Sequence, residues 1–243
     1  MQNLGKKIYE GKAKILYATE DPQVILVHYK NDATAFNAQK KGAIAGKGEI
    51  NCAITTHLFQ FLEQQGIATH FIAQTAPDQI KAIAVKIIPI EVVVRNIAAG
   101  SLCKRLGIEQ GSVLRRSIVE FYYKDDALGD PLISEEHIDL LSLATPEQVL
   151  QLKQLAFKIN QHLQAFLAKC NLILVDFKLE FGLDHNQKML LSDEISPDTC
   201  RLWDSSEPDH QKKILDKDRF RQDLGKVEEA YREVRDRILA QSY

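Results

Sequence analysis

The first third of the chain alternates short apolar runs with polar, turn-forming segments. Residues 8–9 and 15–17 flank the polar, lysine-rich segment 10–14, and residues 24–27 follow a turn signal at 21–22. Runs rich in β-branched and aromatic residues that are bounded by such segments are typical of β-strands. The pattern therefore predicts a strand–loop–strand opening with a lysine-rich tip, followed by a third strand.

A polar connection and a helix are predicted next. Residues 31–49 are rich in glycine and lysine, which predicts a long loop, and loops of this length are usually functional or mobile. The apolar stripe that follows predicts a helix, with Asn51 as its cap and Gly66 just beyond its end, where glycine is favoured.

Strands rich in isoleucine and valine are expected over residues 69–74 and 82–95. Pro89 lies inside the second of these strands. Because proline has no N–H to donate to a neighbouring strand, we expect an edge, a bulge or a hinge at this position. A short helix is expected over residues 98–106.

The remaining third is predicted to contain two long helices with a β-hairpin between them. Residues 145–148 place a capping threonine, a proline and a glutamine where a helix begins. Residues 172–181 and 189–195 are expected to pair as the hairpin. The apolar face of the last helix is formed by Phe220, Leu224, Val227, Tyr231, Val234 and Ile238.

Strands early in the chain and helices late predict an α+β fold rather than a regular βαβ succession. We expect a smaller, β-rich N-terminal lobe over residues 1–88 and a larger α+β lobe over residues 89–243, with the boundary near Pro89.

Composition limits the classes of function. The chain of 243 residues carries 31 basic and 33 acidic residues, so no overall charge favours nucleic acid or an anionic membrane. The N-terminus has no apolar signal region, and no apolar stretch is long enough for a membrane span. The four cysteines form no CxxC pair, which indicates free thiols in a reducing compartment. We therefore expect a cytoplasmic globular protein.

Charged side chains alternate along the predicted hairpin. Asp176, Lys178 and Glu180 share one face of the first strand, and Asp193 on the returning strand is expected opposite Lys178 or Glu180. Two carboxylates and an ammonium suit Mg²⁺ with a polyphosphate. The alternative is a solvated outer face with weak cross-strand ion pairs, and the alternation fits both.

Three further segments are candidates for anion binding. The Gly11–Lys14 segment suits phosphate oxygens, but it also suits an ordinary exposed hairpin. Arg95 before Ser101, and the charged run 193–204, suit an anion site or a salt-bridged loop. Residues 42–48 resemble a Walker A loop but are one residue short and lack its Ser or Thr. The seven histidines show no metal-ligand spacing, and no GxSxG, HExxH or GxGxxG motif is present.

Five segments, in this order along the chain, resemble the SAICAR synthetase family of purine biosynthesis. They are YEGKAK (9–14), VRNIAAGSLCKR (94–105), VDFKLEFG (175–182), SDEISPDTCR (192–201) and DKDRFR (216–221). The resemblance implies an ATP-dependent ligase that joins L-aspartate to carboxyaminoimidazole ribonucleotide (CAIR), giving SAICAR, ADP and phosphate through an acyl phosphate. It also implies two α+β lobes around an ATP-grasp or kinase-like nucleotide cleft.

The resemblance implies roles for individual residues. ATP would be bound by Gly11, Lys12, Ala13, Lys14, Lys86, Ile88, Glu91 and Lys124, with residues 86–91 as an interlobe hinge at the adenine. CAIR would be bound by Arg95, Ser101, Asp198, Arg201 and Arg221. Mg²⁺ would be held by Glu180 and Asp193, and catalysis would use Lys178, Asp176 and Arg201.

The chain departs from the family at one motif. In the segment 32–38, Thr34 and Ala38 replace the usual serine and glycine. Thr34 keeps a hydroxyl, whereas Ala38 puts a tight backbone conformation in doubt. The expected partners are small-molecule substrates and further copies of the chain. The alternatives are a kinase-like phosphotransferase acting on another small anion and a nucleotide-binding regulatory module without turnover.

Overall fold

The structure is a computed structural model that describes residues 5–35 and 40–242. In chain order, the first elements are β1 (Lys7–Glu10), β2 (Lys14–Ala18), β3 (Val24–Tyr29), β4 (Asp32–Ala35), β5 (Lys40–Ala43), α1 (Lys47–Gln64), β6 (Phe71–Ala76) and β7 (Gln79–Ile83). They are followed by β8 (Lys86–Ile97), α2 (Ser101–Leu106), β9 (Val113–Tyr123), β10 (Leu132–Ile133), α3 (Glu135–Leu140) and α4 (Pro146–Lys169). The last elements are β11 (Leu172–Leu183), β12 (Met189–Ser192), β13 (Cys200–Asp204), α5 (Asp218–Arg221) and α6 (Val227–Leu239).

A first antiparallel sheet has the strand order β1-β2-β3-β7-β6. The predicted strand–loop–strand opening is confirmed: the Gly11 N–H donates to the Lys14 carbonyl oxygen over 2.9 Å and closes the turn between β1 and β2. Helix α1 packs on β3, β6 and β7. The lysine-rich tip therefore lies at one end of this sheet, and α1 covers one face of the sheet.

The prediction of a long loop over residues 31–49 is wrong. Within this segment, β4 and β5 pair antiparallel, and α1 begins at Lys47 rather than at Asn51, which is buried inside the helix. These strands have four residues each and no apolar alternation, so their alanines, glycine and lysines resemble a loop in sequence. Gly66 is confirmed just beyond the helix end, with φ +73. Ala38 lies outside the described residues.

A second antiparallel sheet has the strand order β10-β9-β8-β11-β12. Strand β11 pairs with β8 along one edge, while β12 and β13 share its other edge. Helix α4 packs on β8, β9 and β11, and α6 packs on α1. Since strands predominate before α4 and α6 and no regular βαβ succession occurs in the described chain, the α+β class is confirmed.

The predicted strand over residues 82–95 is two strands, β7 and β8, separated at residues 84–85. Strand β8 runs through Pro89, and its register with β11 shifts between Glu91 and Ile87. Of the edge, bulge or hinge expected at this proline, the structure shows a bulge, because the residue that cannot donate falls where the ladder is irregular. Strand β12 ends at Ser192, three residues earlier than expected, because Asp193 adopts φ +61 and turns the chain away.

Helix α4 begins where it was predicted, whereas the last helix is shorter than predicted, because Asp223, Gly225 and Lys226 adopt positive φ before it begins. Thr145 accepts a hydrogen bond from the Gln148 N–H, and the Gln148 side chain accepts one from the Thr145 N–H, so the capping box at the start of α4 is complete. In α6, Tyr231, Val234 and Ile238 are buried as expected. Phe220 and Leu224 precede that helix, in and after α5, and pack against the core as partly buried residues.

Two expectations from the composition concern the cysteines and the absence of apolar spans. All four cysteines are free, and Cys103 is half-buried while the others are buried. Among the described residues, no helix is long and apolar enough to cross a bilayer.

The capping box gives a stability prediction. Thr145→Ala removes the side-chain oxygen that accepts the Gln148 N–H, so we expect the free energy of unfolding to fall by about 1 kcal/mol. Urea denaturation of the full chain measures this change. Thr145→Ser, which keeps the oxygen, is the matched control and should lose much less; equal stability of the alanine variant and the wild type would contradict the cap.

Candidate active site

Two adjoining cavities lie where β1–β3 face β8, β11 and β12. The larger has a volume of about 870 Å³ and the smaller about 370 Å³. Eight residues line both cavities and so form the wall that they share: Lys12, Thr34, Glu91, Asp130, Lys178, Asp198, Thr199 and Lys217. A group bound in one cavity can therefore approach a group bound in the other at this wall.

The larger cavity combines lysines with apolar side chains. Most of the residues predicted to bind ATP line it: Gly11, Lys12, Ala13, Lys14, Glu91 and Lys124. Leu16, Ile25, Val27 and Ile87 supply an apolar part. A cavity with a cationic region and an apolar region suits a nucleotide, which has charged phosphates and a flat base.

Two residues predicted to bind ATP do not line either cavity. The side chain of Lys86 is exposed, and that of Ile88 is buried in the core. The neighbouring residues Val85 and Ile87 line the larger cavity instead. Successive side chains of an extended segment point to opposite sides. A prediction that is displaced by one residue therefore selects side chains that point away from the cavity.

The charged face of β11 lines the cavities rather than bulk solvent. Asp176 and Glu180 are each only 4% exposed, so the alternative of a solvated outer face is wrong. Lys178 donates to Glu180 Oε1 over 2.6 Å and to Glu91 Oε1 over 2.9 Å. Lys124 donates to both oxygens of Glu180, at 2.7 and 2.8 Å.

Asp193 lies close to Lys178 and Glu180, as the predicted hairpin requires. Glu180 pairs with Ser192, so Asp193 is one residue beyond and its Oδ2 is 3.9 Å from Lys178 Nζ. Its other oxygen accepts a hydrogen bond from Lys14. The expected approach of Lys178, Glu180 and Asp193 is confirmed.

Mutual attraction fixes the charge states of this cluster. Burial opposes ionisation of Asp193, but Lys14 and Lys178 outweigh burial and hold its pKa below the usual range. Burial likewise opposes the charge on Lys178, whereas Glu180, Asp193 and Glu91 raise its pKa well above the usual value. Asp193 and Lys178 are therefore both charged at neutral pH.

The smaller cavity contains the residues predicted to bind CAIR. Arg95, Ser101, Asp198, Arg201 and Arg221 all line it, together with Asp176 and Tyr122. Asp176 lies between two guanidinium groups, accepting from Arg95 Nη1 and Arg201 Nη1 over 2.8 Å each. Arginines fixed in this way are well suited to bind a phosphate or a carboxylate.

Other side chains hold these arginines from behind. Arg95 also donates to Glu120 over 2.6 Å, to Tyr122 over 3.0 Å and to Ser101 over 3.0 Å. Arg201 Nε donates to Asp218 over 2.7 Å, and burial opposed by the charges of Asp176 and Asp218 leaves the pKa of Arg201 raised. The guanidinium plane is thus oriented before any ligand arrives.

Gly100 leaves room for Arg201. A Cβ at Gly100 would lie 2.5 Å from Arg201 Nη2 and 2.8 Å from its Cζ, and the residue has φ +56. Only glycine permits this close approach without displacing the guanidinium.

Asp198 lies at the centre of a buried polar group. Its Oδ2 accepts from Lys47 over 2.6 Å, and its Oδ1 accepts from the Tyr231 hydroxyl over 2.7 Å. Lys47 is only 1% exposed. Burial works against the negative charge, but Lys217 and Lys47 hold the pKa of Asp198 below its usual range.

Several functional candidates escaped the sequence analysis. Lys47 lies within the rejected Walker A-like segment, and its glycine neighbours were the only local signal. Asp218 and Lys217 lie within the DKDRFR segment, from which only Arg221 had been selected. His70 also lines the larger cavity; burial and the nearby charge of Lys14 lower its pKa to about 4. Thr34, which the sequence analysis named for its hydroxyl, lines both cavities from β4.

The contact between Gly100 and Arg201 can be tested by a double-mutant cycle. Gly100→Ala should destabilise the protein, and the loss should be about 1–3 kcal/mol smaller when Arg201→Ala has already removed the guanidinium. Urea unfolding of the wild type, both single variants and the double variant measures the difference. Additive losses would mean that only backbone strain at Gly100 matters.

Comparisons with known proteins agree on one family. The family model described as SAICAR synthetase matches residues 7–238. A phosphoribosylaminoimidazole-succinocarboxamide synthase from a Cyanothece species is 63% identical, over 97% of this chain and 98% of its own length. The crystal structure of the Ehrlichia chaffeensis synthase is similar with a TM-score of 0.92 and 45% identity, covering 98% of this chain and 100% of that one. A SAICAR synthetase in complex with ADP has a TM-score of 0.91 and 44% identity, covering 97% and 98%. The chain belongs to the SAICAR synthetase family.

Proposed function

We propose that this protein is an ATP-dependent ligase that joins L-aspartate to CAIR, giving SAICAR, ADP and phosphate. The observation that carries the proposal is the shared wall. A nucleotide-sized cavity and an arginine-rich cavity meet at Lys178, which lines both. Membership of the SAICAR synthetase family supports the same reaction over the alternative of a phosphotransferase that makes no amide.

The reaction needs the two cavities to meet. A carboxylate is a poor acyl donor, so the carboxylate of CAIR first takes the γ-phosphoryl group of ATP, and ADP leaves. The amine of L-aspartate then attacks the acyl carbon, a C–N bond forms, and phosphate departs with the electron pair of the C–O bond and takes up the proton that the amine loses. Lys178 stabilises the negative charge on the transferred phosphoryl group, because an ammonium in a partly buried site acts with little screening.

ATP is proposed to bind in the larger cavity. The backbone and lysines of residues 11–14 cover its phosphates, and Leu16, Ile25 and Ile87 contact the adenine. We propose that residues 1–88 and 89–243 form two lobes around an ATP-grasp or kinase-like cleft. The change of sheet between β7 and β8 supports a boundary near Pro89.

Mg²⁺ is proposed to bind between the nucleotide phosphates and two carboxylates. Among the described residues, no three acidic, histidine or cysteine side chains cluster as a metal cage. Glu180 and Asp193 both approach Lys178 at the wall of the larger cavity, and Mg²⁺ with nucleotides takes one or two carboxylates plus phosphate oxygens and water. The donor set thus fits the ion, which would neutralise charge on the phosphates.

CAIR is proposed to bind in the smaller cavity. Arg95, Ser101, Arg201 and Arg221 would bind its anionic groups, with Asp198 at the edge. Both oxygens of Asp176 already accept hydrogen bonds from arginines, so Asp176 is proposed as a positioning residue for them rather than as a proton acceptor. The expected homo-oligomer and cytoplasmic location stay predictions.

The overall reaction can be tested directly. With ATP, MgCl₂, CAIR and L-aspartate, the purified chain should form SAICAR and ADP in equal amounts, measured by mass spectrometry. Omission of L-aspartate should stop steady ADP formation. Steady ADP release without L-aspartate, and without an amide product, would instead support the kinase-like alternative.

The metal site gives a second prediction. Asp193→Asn should lower kcat by about 100-fold or more, because a ligand for Mg²⁺–ATP is lost. The fold should persist, since Lys14 keeps Glu194 and Lys178 keeps Glu180 as partners. Steady-state kinetics at several MgCl₂ concentrations and urea unfolding measure the two effects.

Asp236→Asn, on the exposed side of α6, is the matched control and should change neither quantity. Removal of Mg²⁺ by EDTA should stop the wild-type reaction, and added MgCl₂ should restore it. An unchanged rate in Asp193→Asn would exclude this carboxylate as a metal ligand.

A further inference from the structure

Lys217 differs from the other cations of the two cavities. Every other lysine or arginine that lines them in the described chain lies within 3.0 Å of a carboxylate oxygen. The nearest carboxylate oxygen to Lys217 Nζ is Asp198 Oδ1, at 3.9 Å, beyond hydrogen-bond distance. The side chain is nevertheless only 15% exposed.

Asp198 attracts Lys217 electrostatically but accepts its hydrogen bonds from other residues. Its two oxygens already accept short hydrogen bonds from Lys47 and Tyr231. One negative charge is therefore shared between two ammonium groups, and Lys47 has the closer contact. The backbone of Lys217 is fixed independently, because its N–H donates to the Pro197 carbonyl oxygen over 3.0 Å.

The surroundings make the charge on Lys217 incompletely compensated. Burial lowers the pKa of Lys217; Asp198 and Glu194 act against burial, whereas Arg221 and Lys47 act with it. An incoming anion would strongly stabilise a partly buried ammonium group that makes no hydrogen bond, because their attraction is weakly screened there. This arrangement points to an anionic ligand group beside Lys217.

The position of Lys217 identifies the ligand group. Lys217 lies in the shared wall, and under the proposed function this wall is where the γ-phosphoryl group must reach the carboxylate of the ribonucleotide. Lys178 lies in the same wall but already donates to Glu91 and Glu180. Resting on the proposed function, we propose that Lys217 binds the reacting carboxylate of the ribonucleotide, and so orients the oxygen that accepts the phosphoryl group.

The test compares two ribonucleotides, CAIR and the same aminoimidazole ribonucleotide without its carboxylate. Isothermal titration with each, in the presence of ADP and MgCl₂, gives their dissociation constants. Lys217→Met should weaken CAIR binding about 10- to 100-fold, the range for a hydrogen bond to a charged group. Binding of the ribonucleotide without the carboxylate, and binding of ADP alone, should be unchanged.

Two control variants separate this role from a structural one. Lys217→Arg keeps the positive charge and should retain most of the preference for CAIR. Lys212→Met removes an exposed lysine of the same segment and should leave all three affinities unchanged. Unchanged ADP affinity in Lys217→Met also shows that this variant is folded.

Several outcomes would overturn the inference. An equal loss for both ribonucleotides would assign Lys217 to another part of the molecule, and a loss of ADP affinity would assign it to the nucleotide. Unchanged CAIR binding with a raised KM for L-aspartate would assign it to the amino acid. Failure of the wild-type protein to bind CAIR would overturn the proposed function itself, which distinguishes the two failures.

Discussion

The pairing of β11 along both of its edges determines where the charged groups of this protein lie. Strand β8 occupies one edge, and β12 and β13 divide the other. Because side chains alternate along a strand, Phe177, Leu179 and Phe181 enter the core while the charged residues between them face the cavities. A shift of register by one residue would exchange these two sets, so the apolar core and the polar cavities specify each other.

The second constraint is the cost of burying charge. The structure compensates most of the cavity cations with carboxylates, as in Arg95–Asp176–Arg201 and Lys14–Asp193. Buried pairs of this kind add little net stability, but loss of one partner leaves an expensive unpaired charge. Their value here is geometric. Cations already held in place can receive an anion without reorganising, which is how an active site stabilises charge that develops during a reaction.

The sequence predicts those features that depend on local periodicity. The capping box at Thr145, the hairpin β11–β12 and the irregular ladder at Pro89 were all predicted, since each depends on neighbours close in sequence. The pairing of β4 with β5 was missed because these strands are short and show no apolar alternation. Lys86 and Ile88 were predicted to contact ATP, but Val85 and Ile87 line the cavity instead. Only the packing of the strand against the rest of the protein determines which of its two sides faces the cavity. Lys47 was missed since its partner Asp198 lies 151 residues away.

Asp198 joins parts of the chain that are far apart in sequence. It follows β12, yet Lys47 comes from the first turn of α1 and Tyr231 from the last helix, α6. The edge of the smaller cavity is therefore complete only when both helices are docked. Loss of α6 from its docked position would remove the Tyr231 hydroxyl from Asp198. The docking of the last helix is thus coupled to the shape of a cavity that is built mostly from other elements.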